Sequence, residues 1–589
     1  MLWTVRHLWA IGSRFVFNCY RHHALLLVRR QGIEEASVLY SREGCQQGDP
    51  LSMIIYGLTL VPLAKFLRSQ HPQVIQPFFA DDCSLAGKAT DVAKAMNLLI
   101  AHGPSRGYFP QPEKSMLVCT DADEPAAKEI FEDLDFQYTR GCRYVGGFVG
   151  ETALLQAWVK KQVATWVSSI HQLSKAARKY PQSAFAALTR SLQTEWTYLQ
   201  RVVPDSSAFF KPIEEALAKT FLPALFGGPP PSRKLTALPV RFGGLGVPDP
   251  TTLGDTHFDT SNKMTASLVD SLLTNTSLDA ATHRAASLKA LQDHKKEQEE
   301  HLKSKLDVIL QSANPTMARR IKRSRKTGCW LTVMPSIDYG TYLSRLEFQD
   351  SVRLRFGLLP LDLPKLCDGC PRKVFFDSQH AQSCSKGGLI IGRHNDVCQE
   401  WGALCALATT PSSVSDEPII PQIHDNEGAA STSNKTNLPT PELRGDVAVY
   451  SFWSRGVTAL FDVRVTDTDC KSNIADDPSK VLSRQEKEKK KKYSKACNDA
   501  HLHFTPLVFS VDGLEGSECT AARKRLASKL SAKWNRQYSQ ICGFVRSRMA
   551  LTLVRATSRC FRGSRTPRQR VGSLEWASGS SVRLFNRLF

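Results

Sequence analysis

Two aspartates stand side by side in PFFADDCSLAG (77–87), at Asp81 and Asp82. Adjacent carboxylates repel and desolvate poorly, so such a pair needs a cation to offset it. Earlier in the chain, EGCQQGDPLSMIIYGLTLVPL (43–63) sets a Gln47-Gly48-Asp49-Pro50 turn before an apolar helix. Each piece alone reads equally as a polar turn or a surface hairpin. A second chemistry lies in LCDGCPRKVFFDSQHAQSC, which carries Cys367 and Cys370, then His380 and Cys384. The CxxC step points two thiolates at one ion, and HxxxC closes a tetrahedron from one helix face. Such a zinc, held by three cysteines and one histidine, is structural, because four protein ligands leave no open position for water. A third lies in PELRGDVAVYSFWSRGVTALFDVRVTD, with Asp446 at the start of one alternating strand and Asp462 inside the next. A hairpin brings such carboxylates together to hold Mg²⁺, as phosphodiester hydrolysis requires; two exposed strand-end aspartates are the alternative.

The elements that must position these groups are legible in outline. FFADDCSLAG reads as strand, tight turn, strand, with the aspartates at the turn. Residues 151–225 repeat apolar positions at three- and four-residue steps, the mark of packed amphipathic helices. Residues 226–250 carry Gly/Pro punctuation. Residues 280–327 form a long charged helical segment ending in the basic ARRIKRSRK. Residues 410–440, rich in Ser, Thr, Asn and Pro, read as a flexible insertion. Two alternating strands follow, then a lysine-rich helix around 484–500 and the strand FTPLVFSVDGL. The C-terminal segment is basic, with Arg546, Arg548, Arg555, Arg559, Arg562, Arg565, Arg568 and Arg570.

A chain of 589 residues exceeds one compact core. Hydrophobic content of 42% with 9% aromatics fits globular domains. The longest apolar stretch, 51–66, is broken by Pro62 and Lys65 and is shorter than a membrane span. The first thirty residues do not resemble a secretory signal. An intracellular, soluble protein with reduced cysteines is expected. With 77 Lys+Arg against 56 Asp+Glu, the net charge of +21 points to a polyanionic partner, nucleic acid above all.

The order and spacing of these motifs resemble the later part of a reverse transcriptase palm from a non-LTR retrotransposon. Gln47, Gly48, Asp49 and Pro50 match that family's template- and nucleotide-handling turn, and Phe79-Ala80-Asp81-Asp82 its catalytic box. GYFPQPEKS (107–115), with Lys114, and RYVGGFVG (143–150) resemble the two palm motifs that follow. The resemblance implies RNA-directed DNA polymerase ancestry, with Asp81 and Asp82 as Mg²⁺ or Mn²⁺ ligands and the helices after residue 150 as a thumb. The family places one more metal-binding aspartate upstream of residue 1, so this polypeptide alone is expected not to polymerise DNA.

The segment after the Cys/His cluster resembles the restriction-like endonuclease of site-specific non-LTR elements, a PD-(D/E)xK fold. That family carries a similar knuckle between polymerase and nuclease. Its proline before the first aspartate is Gly445 here, and Arg464 replaces the lysine expected after the second. The resemblance implies that a later helix supplies the lysine near a tyrosine. Lys490 and Tyr493 are the expected pair, with Lys491 and Lys492 as close alternatives; a backbone-binding or solvated lysine run is the rival reading. Arg393, His394 and Asn395 match a short motif ahead of the nuclease core, with a DNA-contact or structural role.

The expected organisation is α+β and multidomain: a partial palm over 1–150, a helical thumb over 151–260 and a helical linker with a basic cluster over 261–355. A CCHC zinc knuckle over 356–400, a flexible insertion over 401–440, an α/β PD-(D/E)xK-like nuclease over 441–535 and a basic tail over 536–589 complete it. Arg319, Arg320, Lys322 and Arg323 in the basic cluster are expected to bind phosphate backbone, as is the tail, with affinity falling steeply as salt rises; either serves equally as a nuclear import signal. Expected partners are element RNA and target DNA, with no membrane, and the expected location is nuclear, otherwise cytoplasmic, and not secreted. The functional expectation is a fragment of a retrotransposon polyprotein with a metal-dependent nicking endonuclease. A catalytically dead nucleic-acid-binding remnant is the alternative, and a host RNA-assembly scaffold has no sequence feature in its favour.

Overall fold

The computed structural model describes residues 1–29, 36–42, 44–45, 48–80, 82–372, 374–420 and 443–566. The chain is mixed α and β and divides into two compact units. The first comprises 1–162, 199–206 and 254–295, and the second 163–198, 207–253 and 296–589. This division is coarser than the seven segments read from the sequence. Among the described residues no helix is long and apolar enough to cross a membrane.

In the first unit, helix Ser52–Gln70 repeats Leu60, Leu63 and Leu67 at helical spacing and packs them on Ala95, Met96 and Leu99 of helix Ala89–His102. Between these helices lies a hairpin of two-residue strands, Phe78–Phe79 and Asp82–Cys83. Its turn puts Ala80 at φ 58°, the left-handed region that costs a side-chain-bearing residue most outside Gly, Asn and Asp.

The second unit holds the larger core. From residue 315 onward its main elements are α1 (Pro315–Thr327), α2 (Arg345–Arg355), α3 (Ser378–Ser383), α4 (Leu389–Ala408), β1 (Val414–Asp416), β2 (Val447–Tyr450), β3 (Thr458–Thr466), α5 (Pro478–Asp499), β4 (His503–Ser510), α6 (Ser517–Trp534) and α7 (Tyr538–Arg562). The sheet runs β4-β3-β2-β1. β1, β2 and β3 are antiparallel neighbours, whereas β3 and β4 are parallel and joined through α5. Strand alternation explains the layering. Val447, Val449, Phe461, Val463, Leu507 and Phe509 face a core shared with α4, α6 and α7. Ala448, Leu460 and Phe504 face α5 through Tyr493 and Cys497. β3 is therefore covered on both faces, which is why it reads as a nearly continuous apolar run. Phe461 is fully buried against Trp401 and Phe452, at 5.4 and 5.0 Å between ring centres. A ring so buried is worth about 2–3 kcal/mol.

Helices expected as a separate thumb join this unit. Phe185 and Phe226 pack on Phe348 and Phe356, at 6.0 and 5.8 Å. The insertion expected over 401–440 is partly structured: 401–408 continue α4 and 414–416 form β1, while 421–442 lie outside the described residues.

Two basic segments depart from expectation. In α1, Arg319, Arg320 and Arg323 all reach Asp469, and Arg323 also reaches Asp512. Arg323 is buried. These three guanidiniums are paired within the unit, and of the four cluster residues only Lys322 is exposed. The expected tail is a helix: α7 seats Ile541, Val545, Met549 and Leu553 in the core at four-residue steps. Its arginines are paired inside the unit, Arg548 to Glu400, Arg559 to Asp396 and Arg562 to Asp350. Arg555 and Arg565 cap backbone carbonyls. Arg568 and Arg570 lie outside the described residues.

The Asp469 cluster yields a stability prediction. Burial would raise the Asp469 carboxyl, but the guanidiniums of Arg323 and Arg320 outweigh it and hold it well below the ordinary range. A depressed carboxyl contributes stability above its unfolded value of about 3.9, and that contribution is lost as pH falls below it. Asp469→Ala takes from buried Arg323 one of its two carboxylates and from Arg319 and Arg320 the one they share, and is expected to cost about 3 kcal/mol in urea unfolding. The difference from wild type should shrink below about pH 4, where the unfolded chain takes up a proton that the folded carboxylate does not.

Candidate functional site

The Cys/His cluster is built from two short local structures. Cys367 N–H donates to the Val374 carbonyl at 2.9 Å and Phe376 N–H to the Lys365 carbonyl at 3.0 Å, folding the CxxC segment back on itself. Asp377 then caps α3 by accepting from His380 N–H at 2.7 Å, so His380 and Cys384 fall one turn apart on the same face. The Cys384 sulfur lies 4.0 Å from that of Cys367 and 3.7 Å from that of Cys370, which lies 3.6 Å from His380 Nε2. A tetrahedral zinc with Zn–S of about 2.3 Å and Zn–N of about 2.0 Å has S···S edges near 3.8 Å and S···N edges near 3.5 Å. The four donors therefore fit a closed metal site, all within 4.8 Å of one another.

The second constellation sits where β2 enters the sheet. Val447 pairs with Phe461, and Asp446 N–H donates to the Phe461 carbonyl at 3.0 Å, which sets Asp446 alongside Asp462 in the ladder. Asp446 Oδ2 accepts from Val463 N–H at 2.5 Å and meets His394 Nε2 at 3.1 Å. That contact, then one to Cys398, outweigh burial and push the imidazolium up to about 11. Gly445 has a local reason to differ from proline: its N–H donates to the Pro418 carbonyl at 3.0 Å, and a Cβ there would meet Leu460 at 2.5 Å.

Asp462 is 3% exposed on the strand face covered by α5. A carboxylate so buried is costly unless paired, and Lys489 of α5 supplies the ion pair. The lysine that reaches Asp462 is therefore not one of those expected from sequence. Lys490 instead pairs with Glu518 at 2.5 Å, Lys491 is exposed, and Lys492 donates to the Tyr493 hydroxyl at 3.0 Å. Tyr493 stacks on Phe504 at 5.0 Å, and burial, then Asp462, push its hydroxyl well above the ordinary value, so it stays protonated. Lys489 was findable: it precedes Tyr493 by four residues and so shares its helix face.

A cavity of about 250 Å³ adjoins these groups, and Arg393, His394, Arg464 and Lys489 contribute to its lining. Arg464 is tied to Glu488 at 2.8 Å. Arg393 is 2% exposed, and its Nη2 donates to the Gln382 carbonyl at 3.2 Å. Its Nε and Nη1 have no oxygen or nitrogen partner among the described residues. Arg393 thus cannot lie along an outer DNA surface.

In the first unit, Gln47 and Asp81 lie outside the described residues. Asp82 forms the second strand of its hairpin opposite Phe79. The Gly48-Asp49-Pro50 turn starts helix Ser52–Gln70, because Asp49 Oδ1 accepts from Leu51 N–H at 2.8 Å and the Asp49 carbonyl from the Ser52 hydroxyl at 2.8 Å. The Tyr20 hydroxyl also donates to Asp49. Gly48 takes φ 93°, a conformation that Pro50 beyond it cannot share. Lys114 donates to Gln111 at 2.6 Å.

No family model matches this chain, and no curated protein matches it either.

Proposed function

We propose that the second unit is a metal-dependent DNA-nicking endonuclease within a chain of non-LTR retrotransposon reverse transcriptase type, and that it works on element RNA and target DNA in the nucleus. One observation carries the reading: a buried aspartate on a central strand, paired to a crossover-helix lysine, beside a second aspartate on the antiparallel neighbour. An ordinary core would place an apolar residue where Asp462 stands.

Asp446 and Asp462 would hold Mg²⁺ or Mn²⁺, which supplies Lewis-acid polarisation of the phosphodiester and an activated water. Lys489, held by Asp462 and lining the cavity, offsets charge on the attacked phosphate. Tyr493 fixes the lysine's helix face through its stacking and remains a proton donor. Arg393, a buried guanidinium that contributes to the cavity wall, keeps that wall positive for a phosphate. Asp81 and Asp82 keep their place as the polymerase carboxylates of the resemblance, and the Cys367, Cys370, His380 and Cys384 set as a structural zinc site.

The test is nicking of supercoiled plasmid and of candidate target DNA with Mg²⁺, beside gel-shift binding. Lys489→Ala is expected to lower nicking about 100-fold, the scale of one lost transition-state contact, whereas Lys490→Ala stays within a few-fold. A wild-type protein that shifts DNA but never cuts it is a binding remnant, and the nuclease reading is then wrong.

A further inference from the structure

The nuclease reading uses only oxygen donors, yet Asp446 is not surrounded by oxygen. On α4, His394 and Cys398 stand four residues apart and so project from one helix face. His394 Nε2 lies 3.1 Å from Asp446 Oδ2, and the Cys398 sulfur lies 3.8 Å from that nitrogen and 3.6 Å from Nδ1. One donor atom from each of the three residues falls within 4.8 Å of the others. A tetrahedral ion with metal–nitrogen and metal–oxygen bonds near 2.1 Å and a metal–sulfur bond near 2.3 Å requires donor separations of about 3.3–3.6 Å. The nitrogen–oxygen and nitrogen–sulfur distances need to change by only a few tenths of an ångström, and an ion would displace the proton that Asp446 and Cys398 favour on His394.

We infer that His394, Cys398 and Asp446 form a second transition-metal site, distinct from the cluster at Cys367, Cys370, His380 and Cys384 and selective for Zn²⁺ or Co²⁺ over Mg²⁺. The donor chemistry sets the selectivity. Mg²⁺ takes hard oxygen ligands in octahedral array, whereas imidazole and thiolate belong to the borderline and soft end that binds zinc and cobalt. Three protein donors leave a fourth position open, unlike the closed four-ligand set, so an ion here is able to carry water or a phosphate oxygen. The donor set is also asymmetric in a useful way. Its nitrogen and sulfur come from a helix and its oxygen from a strand, so an ion would tie α4 to the mouth of the sheet. The inference rests on the nuclease reading only for what the ion would do, since it shares Asp446 with that centre; the binding rests on the donors alone.

The full chain is loaded with Zn²⁺, desalted, and its metal content measured by atomic emission beside Cys398→Ser and His394→Ala. Each variant is expected to hold one equivalent less than wild type. With Co²⁺ in place of Zn²⁺, Cys398→Ser should lose part of the sulfur-to-cobalt charge-transfer absorption that wild type shows. Millimolar Mg²⁺ should leave the extra equivalent in place. An unchanged thermal midpoint of the metal-free protein for Cys398→Ser shows that the fold persists. Equal zinc content in wild type and Cys398→Ser, with identical cobalt spectra, overturns the site. Nicking followed on the same samples separates the two ideas. Loss of one zinc in the variants with no nicking by any form sinks the nuclease and leaves the metal site. Mg²⁺-dependent nicking with equal zinc content in all forms does the reverse.

Discussion

Asp462→Asn is expected to reduce Mg²⁺-dependent nicking of supercoiled DNA by on the order of 10³-fold, since losing a direct metal ligand removes about 4 kcal/mol of transition-state stabilisation. Asp446→Ala should match it. The two residues share a ladder position but not an environment, and this gives the prediction its controls. Asp462 is buried and paired with Lys489, so Asp462→Asn leaves that ammonium partly buried without its carboxylate. Asp446 is half-buried and braced by Val463 N–H and His394. Asp462→Asn should therefore also lower stability, whereas Asp462→Asn combined with Lys489→Met removes both charges and should recover much of that loss while remaining inactive. Plasmid relaxation assays beside urea unfolding separate the effects. Activity that returned to the level of Lys489→Met alone when stability was restored would mean that Asp462 is structural; a loss that stays far beyond the roughly 100-fold of the lysine variant marks it as a metal ligand. Full nicking by Asp462→Asn would remove the active site from this sheet.

What could be read from the chain, and what could not, follows the distance over which each group finds its partner. Cys367, Cys370, His380 and Cys384 meet through local steps that one turn and one short helix set, so their spacing already described their geometry. Asp446 and Asp462 lie on strands that pair directly, so alternation placed them side by side. That Lys489 is the partner of Asp462 was hidden for a geometric reason. Along α5 each step turns the side chain by about 100°, so in the run Lys489 to Lys492 only the tertiary position of the sheet decides which residue reaches Asp462. The basic cluster failed for a topological one. Arg323 finds Asp469 and Asp512 at 146 and 189 residues' separation, and no local pattern reveals such partners. The C-terminal segment was misjudged by charge, although Ile541, Val545, Met549 and Leu553 keep the four-residue period of a buried face. Cys398 carried a signal too: an i, i+4 His–Cys pair is ligand spacing, here inside an apolar helix where it passes for a small core residue.

Stripping metal from the Cys367, Cys370, His380 and Cys384 cluster is expected to unfold the segment around it, because a structural zinc of this kind contributes about 10 kcal/mol or more of apparent free energy, comparable to the whole stability of an ordinary domain. The core at this place is too small to compensate. Cys367, Phe376, Ala381, Cys384 and Phe561 make up its buried part, and two of the five are the ligands themselves. The Arg565 guanidinium lies 4.6 Å from the centre of the Phe376 ring, and Asp368 accepts from Arg565 N–H at 2.9 Å and from the Ser564 hydroxyl at 2.8 Å. Losing the ion should thus loosen the end of α7 as well as α3. Limited trypsin digestion of chelator-treated protein should cut at Lys365 and Lys386 much faster than in the zinc-loaded form, and Cys370→Ser should behave as if chelated. His380→Cys should hold zinc and resist the protease, since four cysteines are an equally good structural set. The disturbance should also reach the second constellation. α4 starts five residues beyond Cys384, and Arg393 is anchored to the Gln382 carbonyl inside the α3 turn. Cys370→Ser should consequently weaken nicking even though none of the four ligands is itself a partner of Asp446 or Asp462, and His380→Cys should retain it. If trypsin treats Cys370→Ser and wild type alike under zinc-free and zinc-loaded conditions, the four donors hold no structural ion, and the coupling from knuckle to nuclease falls with it.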